Sequence, residues 1–134
     1  MEIQELDDAP WFTLDGEQLQ CKIIDVYDGD TITIIFPFNG GYYKDKCRLC
    51  GIDTPEVRTK NAEEKAAGIK VRDWLKEKIL NKIMLIEFKG KDKYGRLMGV
   101  IYENINSTSI NMQLVANGMA YKYEGDKKKQ FGSW

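Results

Sequence analysis

Histidine is missing altogether from the 134 residues. Without an imidazole the chain lacks the side chain that ordinarily titrates between about pH 5 and 8, so mechanisms built on an imidazole base, an imidazole nucleophile or a histidine-bound metal are excluded. Cysteine is scarce as well. The three, at 21, 47 and 50, are odd in number and far below the density of a disulfide framework, which points to a reducing compartment. Cys47 and Cys50 form a C-x-x-C, but KDKCRLCGI has the character of a strand, where positions three apart face opposite ways. With no second pair, zinc is not expected and all three thiols are expected to be buried or half-buried. No apolar run approaches the ~20 residues of a membrane span. The acidic start MEIQELDDAP has neither the basic beginning nor the apolar stretch of a secretory signal. An intracellular chain away from membranes is therefore expected. Walker A and dinucleotide glycine patterns are lacking, and an EF-hand loop counted from Asp25 would put Phe36 where its last glutamate is required.

What is present is charge, unevenly spread. The net charge of −1 hides six acidic and no basic residues in 1–20, against 20 basic and 15 acidic in 21–134. Residues 1–20 are an acidic N-terminal arm, and 21–134 are one domain with a charge of +5. A mildly basic body suits a polyanionic partner such as nucleic acid. The arm is expected either to be a plain leader, with Trp11, Phe12 and Leu14 able to dock, or to fold over a basic cleft as a phosphate mimic.

KIIDVYDGDTITIIFPF (22–38) is rich in β-branched and aromatic residues and breaks at Asp28-Gly29, which predicts two strands joined by a tight turn. Asn39-Gly40-Gly41 signals a second turn, and a third strand is expected from Tyr42 to Ile52. From 61 to about 81 the spacing becomes helical, with Ala66, Ile69, Trp74, Leu75 and Ile79 near one stripe. Strands are expected at 82–90 and 95–104. A short helix starts near Ser107–Asn111 and stops at Asn117-Gly118. The tail EGDKKKQFGSW is polar and expected to be loosely held apart from Phe131 and Trp134. Five short strands and two helices make an α+β domain, a small OB-like β-barrel.

Four clusters carry candidate chemistry. DGDT puts Asp28 and Asp30 on one face of a strand start, where two carboxylates repel unless a cation is near. In RLCGIDTPE, Arg48 lies in the third strand and Asp53 and Glu56 follow in the turn, with Pro55 presetting the turn so that the Thr54 carbonyl can be aimed. KDKYGR gathers Lys91, Lys93 and Arg96 around Tyr94. Each cluster alone is an ordinary turn or solvated loop.

Taken in this order, IIDVYDGDTITI, RLCGIDTPE, DKYGR and SINMQLVANGMA resemble the staphylococcal nuclease (thermonuclease) family, from about Cys21 to Tyr123. The resemblance implies a calcium-dependent phosphodiesterase acting on DNA or RNA, or both, and leaving 3′-phosphate ends. It implies Ca²⁺ ligation by Asp30, Asp53 and the Thr54 carbonyl, with Asp28 behind them. Glu56 would activate water, Arg48 and Arg96 would hold the phosphate, and Lys93 and Tyr94 would meet a terminal phosphate. Tyr121 and Tyr123 correspond to stacking tyrosines. Relative to the secreted bacterial members, the loop after Glu56 is shorter and a third helix has no counterpart. Two rivals stand beside a monomeric nuclease: a family barrel that has lost catalysis and binds RNA or protein, and a single-strand binder without hydrolysis.

Overall fold

A computed structural model of the chain describes residues 2–125 and 128–132. Five strands close into a barrel in the order β1-β2-β3-β6-β5: β1 (Gln18–Val26), β2 (Thr31–Phe38), β3 (Gly41–Leu49), β5 (Ile83–Lys91) and β6 (Leu97–Tyr102). Neighbours pair antiparallel except β3 and β6, whose parallel seam at Cys47–Leu97, Arg48–Met98 and Leu49–Gly99 completes the ring. Alternation sorts the side chains. Ile32 and Ile34 on β2, Cys47 and Leu49 on β3, and Ile86 and Phe88 on β5 point inward and are buried. Arg48 therefore lies on the outer face of β3, with Thr31 as its partner on β2.

The third strand is shorter than expected from its composition. It stops at Leu49, the chain turns through Cys50-Gly51, and a two-residue strand β4 (Ile52–Asp53) pairs with β7 (Tyr121–Lys122). That break turns Asp53 toward Arg48. Helix α1 (Ala62–Ile79) starts on Asn61, whose side chain accepts the Glu63 and Glu64 N–H groups. Its buried face is Gly68, Val71, Leu75 and Ile79, which shares Leu75 and Ile79 with the expected stripe but is rotated at its start: Ala66 is exposed, and Ile69 and Trp74 are only partly covered. The glycine explains the shift, because a face that must approach backbone closely selects for a missing side chain over an apolar one. Helix α2 (Ile110–Ala116) is capped by Ser109 and sends Ile110 and Leu114 into the core. Its Asn111 is buried, accepting the Ile101 N–H and donating to the Cys50 and Gly99 carbonyls, so the β3–β4 turn is stitched to β6 through one amide.

Before β1, Leu14 is part of the core and Phe12 packs edge-on against Phe38, with ring centres 5.5 Å apart, whereas Trp11 is 95% exposed. Cys21 and Cys47 are buried free thiols and Cys50 is half-buried; burial pushes Cys21 up to about 12 and Cys47 higher still. Phe131 is half-buried; Trp134 lies outside the described residues. Among the described residues, no helix is long and apolar enough to cross a membrane.

Candidate active site

Asp30 stands at the end of the β1–β2 turn. The Asp28 carboxylate accepts its N–H at 3.1 Å, and its carbonyl accepts the Leu49 N–H at 2.8 Å, which fixes the turn onto β3. Gly29 between them has no room for a side chain. A Cβ there would lie 2.6 Å from the Val71 methyl and 2.9 Å from the Thr54 side chain, so the turn, α1 and Thr54 meet only because the residue is glycine. Arg48 faces this turn. Its Nη1 donates to the carbonyls of Leu49 (3.2 Å) and Ile52 (3.0 Å), and its Nη2 reaches Asp30 Oδ2 (3.5 Å) and Asp53 Oδ1 (3.3 Å). Asp53 is further held by the Tyr121 hydroxyl, which donates to Oδ2 at 2.8 Å. Thr54 is buried next to it.

Glu56 comes after the Pro55 turn. Its N–H donates to Glu64 on α1 at 3.1 Å, and α1 crosses beneath it at Gly68, where a Cβ would fall 2.7 Å from the Glu56 carbonyl oxygen. The helix thus carries Glu56 from below. Lys128 spans the gap above. Its ammonium is 3.3 Å from Asp53 Oδ1 and 3.5 Å from Glu56 Oε1.

The β5–β6 hairpin supplies the other wall. Asp92 organises it, accepting the N–H groups of Tyr94 (2.9 Å) and Arg96 (3.0 Å) on Oδ1 and the Arg96 Nε at 2.7 Å on Oδ2. Arg96 Nη1 lies 3.4 Å from Thr31 Oγ1, which in turn donates to Asp30 Oδ1 at 3.1 Å. One hydroxyl therefore links the second arginine to the first carboxylate. Tyr94 is 74% exposed, flanked by Lys93 Nζ and Arg96 Cζ at 5.4 and 5.7 Å from its ring centre. A cleft of about 410 Å³ opens between the walls, lined by Arg48, Lys93, Tyr94, Arg96, Tyr123 and Lys128 among others.

Burial raises the pKa of Asp30, with the Asp28 charge adding to it and Arg48 opposing. Burial likewise raises Asp53, against the Tyr121 hydrogen bond and Lys128, and raises Glu56, against Lys128. Asp92 behaves oppositely: burial pushes it up, but the backbone and guanidinium of Arg96 outweigh that and hold it below the usual range. Around Arg48, four carboxylates (Asp28, Asp30, Asp53, Glu56) face two cations (Arg48, Lys128), leaving two negative charges over. Among the described residues, no three carboxylates or thiols form a ready metal cage. The fit is one of donor chemistry: Asp30 and Asp53 offer hard oxygens, and the excess negative charge is one that a divalent cation would cancel.

Asp30, Arg48, Asp53, Glu56 and Arg96, singled out in the sequence, lie around this site. Asp30, Arg48 and Asp53 are in direct contact, Glu56 joins through Lys128, and Arg96 joins through Thr31. Asp28 stands behind Asp30. Lys93 and Tyr94 are on the far wall of the cleft. Tyr123 lines the cleft with its ring 5.7 Å from Arg48 Cζ, but Tyr121 is buried with its hydroxyl engaged by Asp53 and by the Lys129 N–H. Lys128, Asp92, Thr31 and Glu64 were not singled out. The four-residue spacing of Asp92 and Arg96 and the adjacency of Thr31 to Asp30 are visible signals; Lys128, within a lysine run, has none.

The sequence profile of the staphylococcal nuclease homologue family matches residues 46–133. An uncharacterized endonuclease of Haemophilus influenzae is 32% identical over 81% of this chain and 54% of its own length. A thermonuclease of Staphylococcus hyicus is 28% identical over 77% of this chain and 63% of its own length. Endonuclease YncB of Bacillus subtilis is 36% identical over 75% and 48%. The chain spans about half to three-fifths of the length of these curated relatives.

Proposed function

The chain belongs to the staphylococcal nuclease homologue family, and from that premise we propose that it is a calcium-dependent phosphodiesterase that hydrolyses DNA or RNA and leaves 3′-phosphate ends. One observation carries the proposal: Arg48 and Arg96 line one cleft from opposite walls, and the buried Asp30 and Asp53 are in contact with Arg48, with Glu56 tied to the same cluster through Lys128.

A phosphodiester is anionic and gains charge at its oxygens when water attacks, so the barrier falls where fixed positive charge meets that growth. Arg48 and Arg96 offer planar forks that match pairs of phosphate oxygens and do not deprotonate. Arg48 is already oriented by two carbonyls, and Arg96 by Asp92, so neither must be ordered when substrate arrives. Bound Ca²⁺, held by Asp30, Asp53 and the Thr54 carbonyl, would add a Lewis acid beside the phosphate. Glu56 takes the proton from the attacking water. Burial raises its proton affinity, which makes it a stronger base than an exposed glutamate, and the Glu64 bond and the Gly68 contact hold its backbone in place. Lys93 and Tyr94, on the exposed hairpin, meet a terminal phosphate.

Cleavage of supercoiled plasmid and of single-stranded RNA in Ca²⁺, Mg²⁺ or EDTA tests the proposal. Turnover with Ca²⁺, none with EDTA, and a loss of about 10²- to 10⁴-fold in Glu56→Gln are expected. Salt-dependent binding with no cleavage in any metal would instead mark a barrel that binds nucleic acid without hydrolysing it.

A further inference from the structure

The carboxylate cluster is held together by two cations of unequal permanence. Arg48 Nη2 and Lys128 Nζ both lie 3.3 Å from the same atom, Asp53 Oδ1. Arg48 is embedded: it is 8% exposed and its other nitrogen is tied to the Leu49 and Ile52 carbonyls. Lys128 arrives from a stretch without regular secondary structure, and half of its side chain is in solvent. Its segment leans on the site itself, through the Lys129 N–H to Tyr121, the Lys128 ammonium 5.9 Å from the centre of the Tyr123 ring, and the two ion pairs.

We infer that Lys128 is a displaceable internal counter-ion that competes with a divalent cation for Asp53, so that cation binding and docking of residues 128–130 oppose one another. The inference rests on the cation-dependent reading of the site. Its physical ground is that an ion bound to Asp53 would sit within a few ångströms of the ammonium, and two positive charges at that distance in a half-buried place repel strongly. The carboxylates need one or the other. Without the ion, Lys128 relieves the repulsion between Asp53 and Glu56; with it, the same lysine, half of whose side chain is already in solvent, becomes a charge to be expelled toward water. Coupling of this kind is reciprocal: whatever factor Lys128 subtracts from cation affinity, the cation subtracts from docking of the segment.

Calorimetric titration with Ca²⁺ alone, at low ionic strength and without nucleic acid, separates the outcomes. Lys128→Gln is expected to bind Ca²⁺ about 3- to 10-fold more tightly than the unaltered protein, the scale of losing two partly screened ion pairs. Lys70→Gln, the same charge change on an exposed position of α1, is expected to bind as the unaltered protein does. Saturating Ca²⁺ should also speed hydrogen exchange at the Lys129 amide, whose bond to Tyr121 reports docking. Equal or weaker binding by Lys128→Gln, or an equal gain in Lys70→Gln, would overturn the competition and leave the cation site standing. No Ca²⁺ binding by either Lys128→Gln or the unaltered protein would overturn both.

Discussion

Arg48 and Arg96 flank one cleft and are held by opposite means. Arg48 belongs to the interior: its guanidinium satisfies two backbone carbonyls of the β3–β4 turn and bridges two buried carboxylates. Arg96 belongs to the surface. Asp92 grips its Nε, Nη1 reaches the Thr31 hydroxyl at 3.4 Å, and the group lines the cleft. The same residue type is therefore a structural bracket in one wall and an adjustable arm in the other. The lesson is that orientation for binding can be obtained either from the fold, at the cost of making the site part of the core, or from a single neighbour on a hairpin.

Breaking the comparison begins with Arg48. Arg48→Met should lose activity and, because it removes the guanidinium that bridges Asp30 and Asp53 and donates to two carbonyls, about 3–5 kcal/mol of stability in urea unfolding. Arg96→Ala should lower turnover about 10²- to 10³-fold while its urea midpoint moves by the equivalent of no more than about 1 kcal/mol. Equal midpoints for the two variants would erase the distinction between bracket and arm.

The smallest effect is in acid. Asp92 has a folded pKa below its unfolded value of about 4, so its contribution to the hairpin is present above that value and disappears as pH falls through the folded pKa. Asp30 and Asp53 have folded pKa values above their unfolded ones. Their stabilising form is the protonated one, fully present below the unfolded pKa and lost as pH rises through the folded values. Hydrogen-exchange protection at the Tyr94 and Arg96 amides, which donate to the Asp92 carboxylate, should therefore fall as pH drops below about 4 relative to protection at Leu49, whose N–H donates to the Asp30 backbone carbonyl. A uniform change across both regions would show that the two walls titrate as one.

The barrel was legible because its strands are β-branched and separated by Asp-Gly and Asn-Gly turns, and the helix α1 because its spacing changes and Asn61 caps it. The parallel β3–β6 seam was not, since nothing local in KDKCRL or GRLMGV encodes which distant strand it joins. The kink at Cys50-Gly51 was hidden inside a strand-like run, and with it the reason Asp53 turns toward Arg48. On α1, Gly68 and Val71 outrank Ala66 because closeness to the Pro55–Glu56 backbone, and not apolarity, decides which face is inside. Tyr121 had been grouped with Tyr123 as a stacking ring; their burial, set by the β4–β7 pairing, separates them. Lys128 was one lysine of three in a polar tail, and only tertiary placement singles it out.

The parallel seam also bears on when the protein can become active during its own synthesis. Arg48 and Arg96 come from stretches made far apart in time, and they reach the same cleft only after β6 has docked beside β3 and closed the ring. A chain emerging from the ribosome, or one cut short before β6, carries Arg48, Asp53 and Glu56 without a second wall to oppose them. The cleft is thereby incomplete until β6 is in place, and a half-made molecule has only one of its two walls.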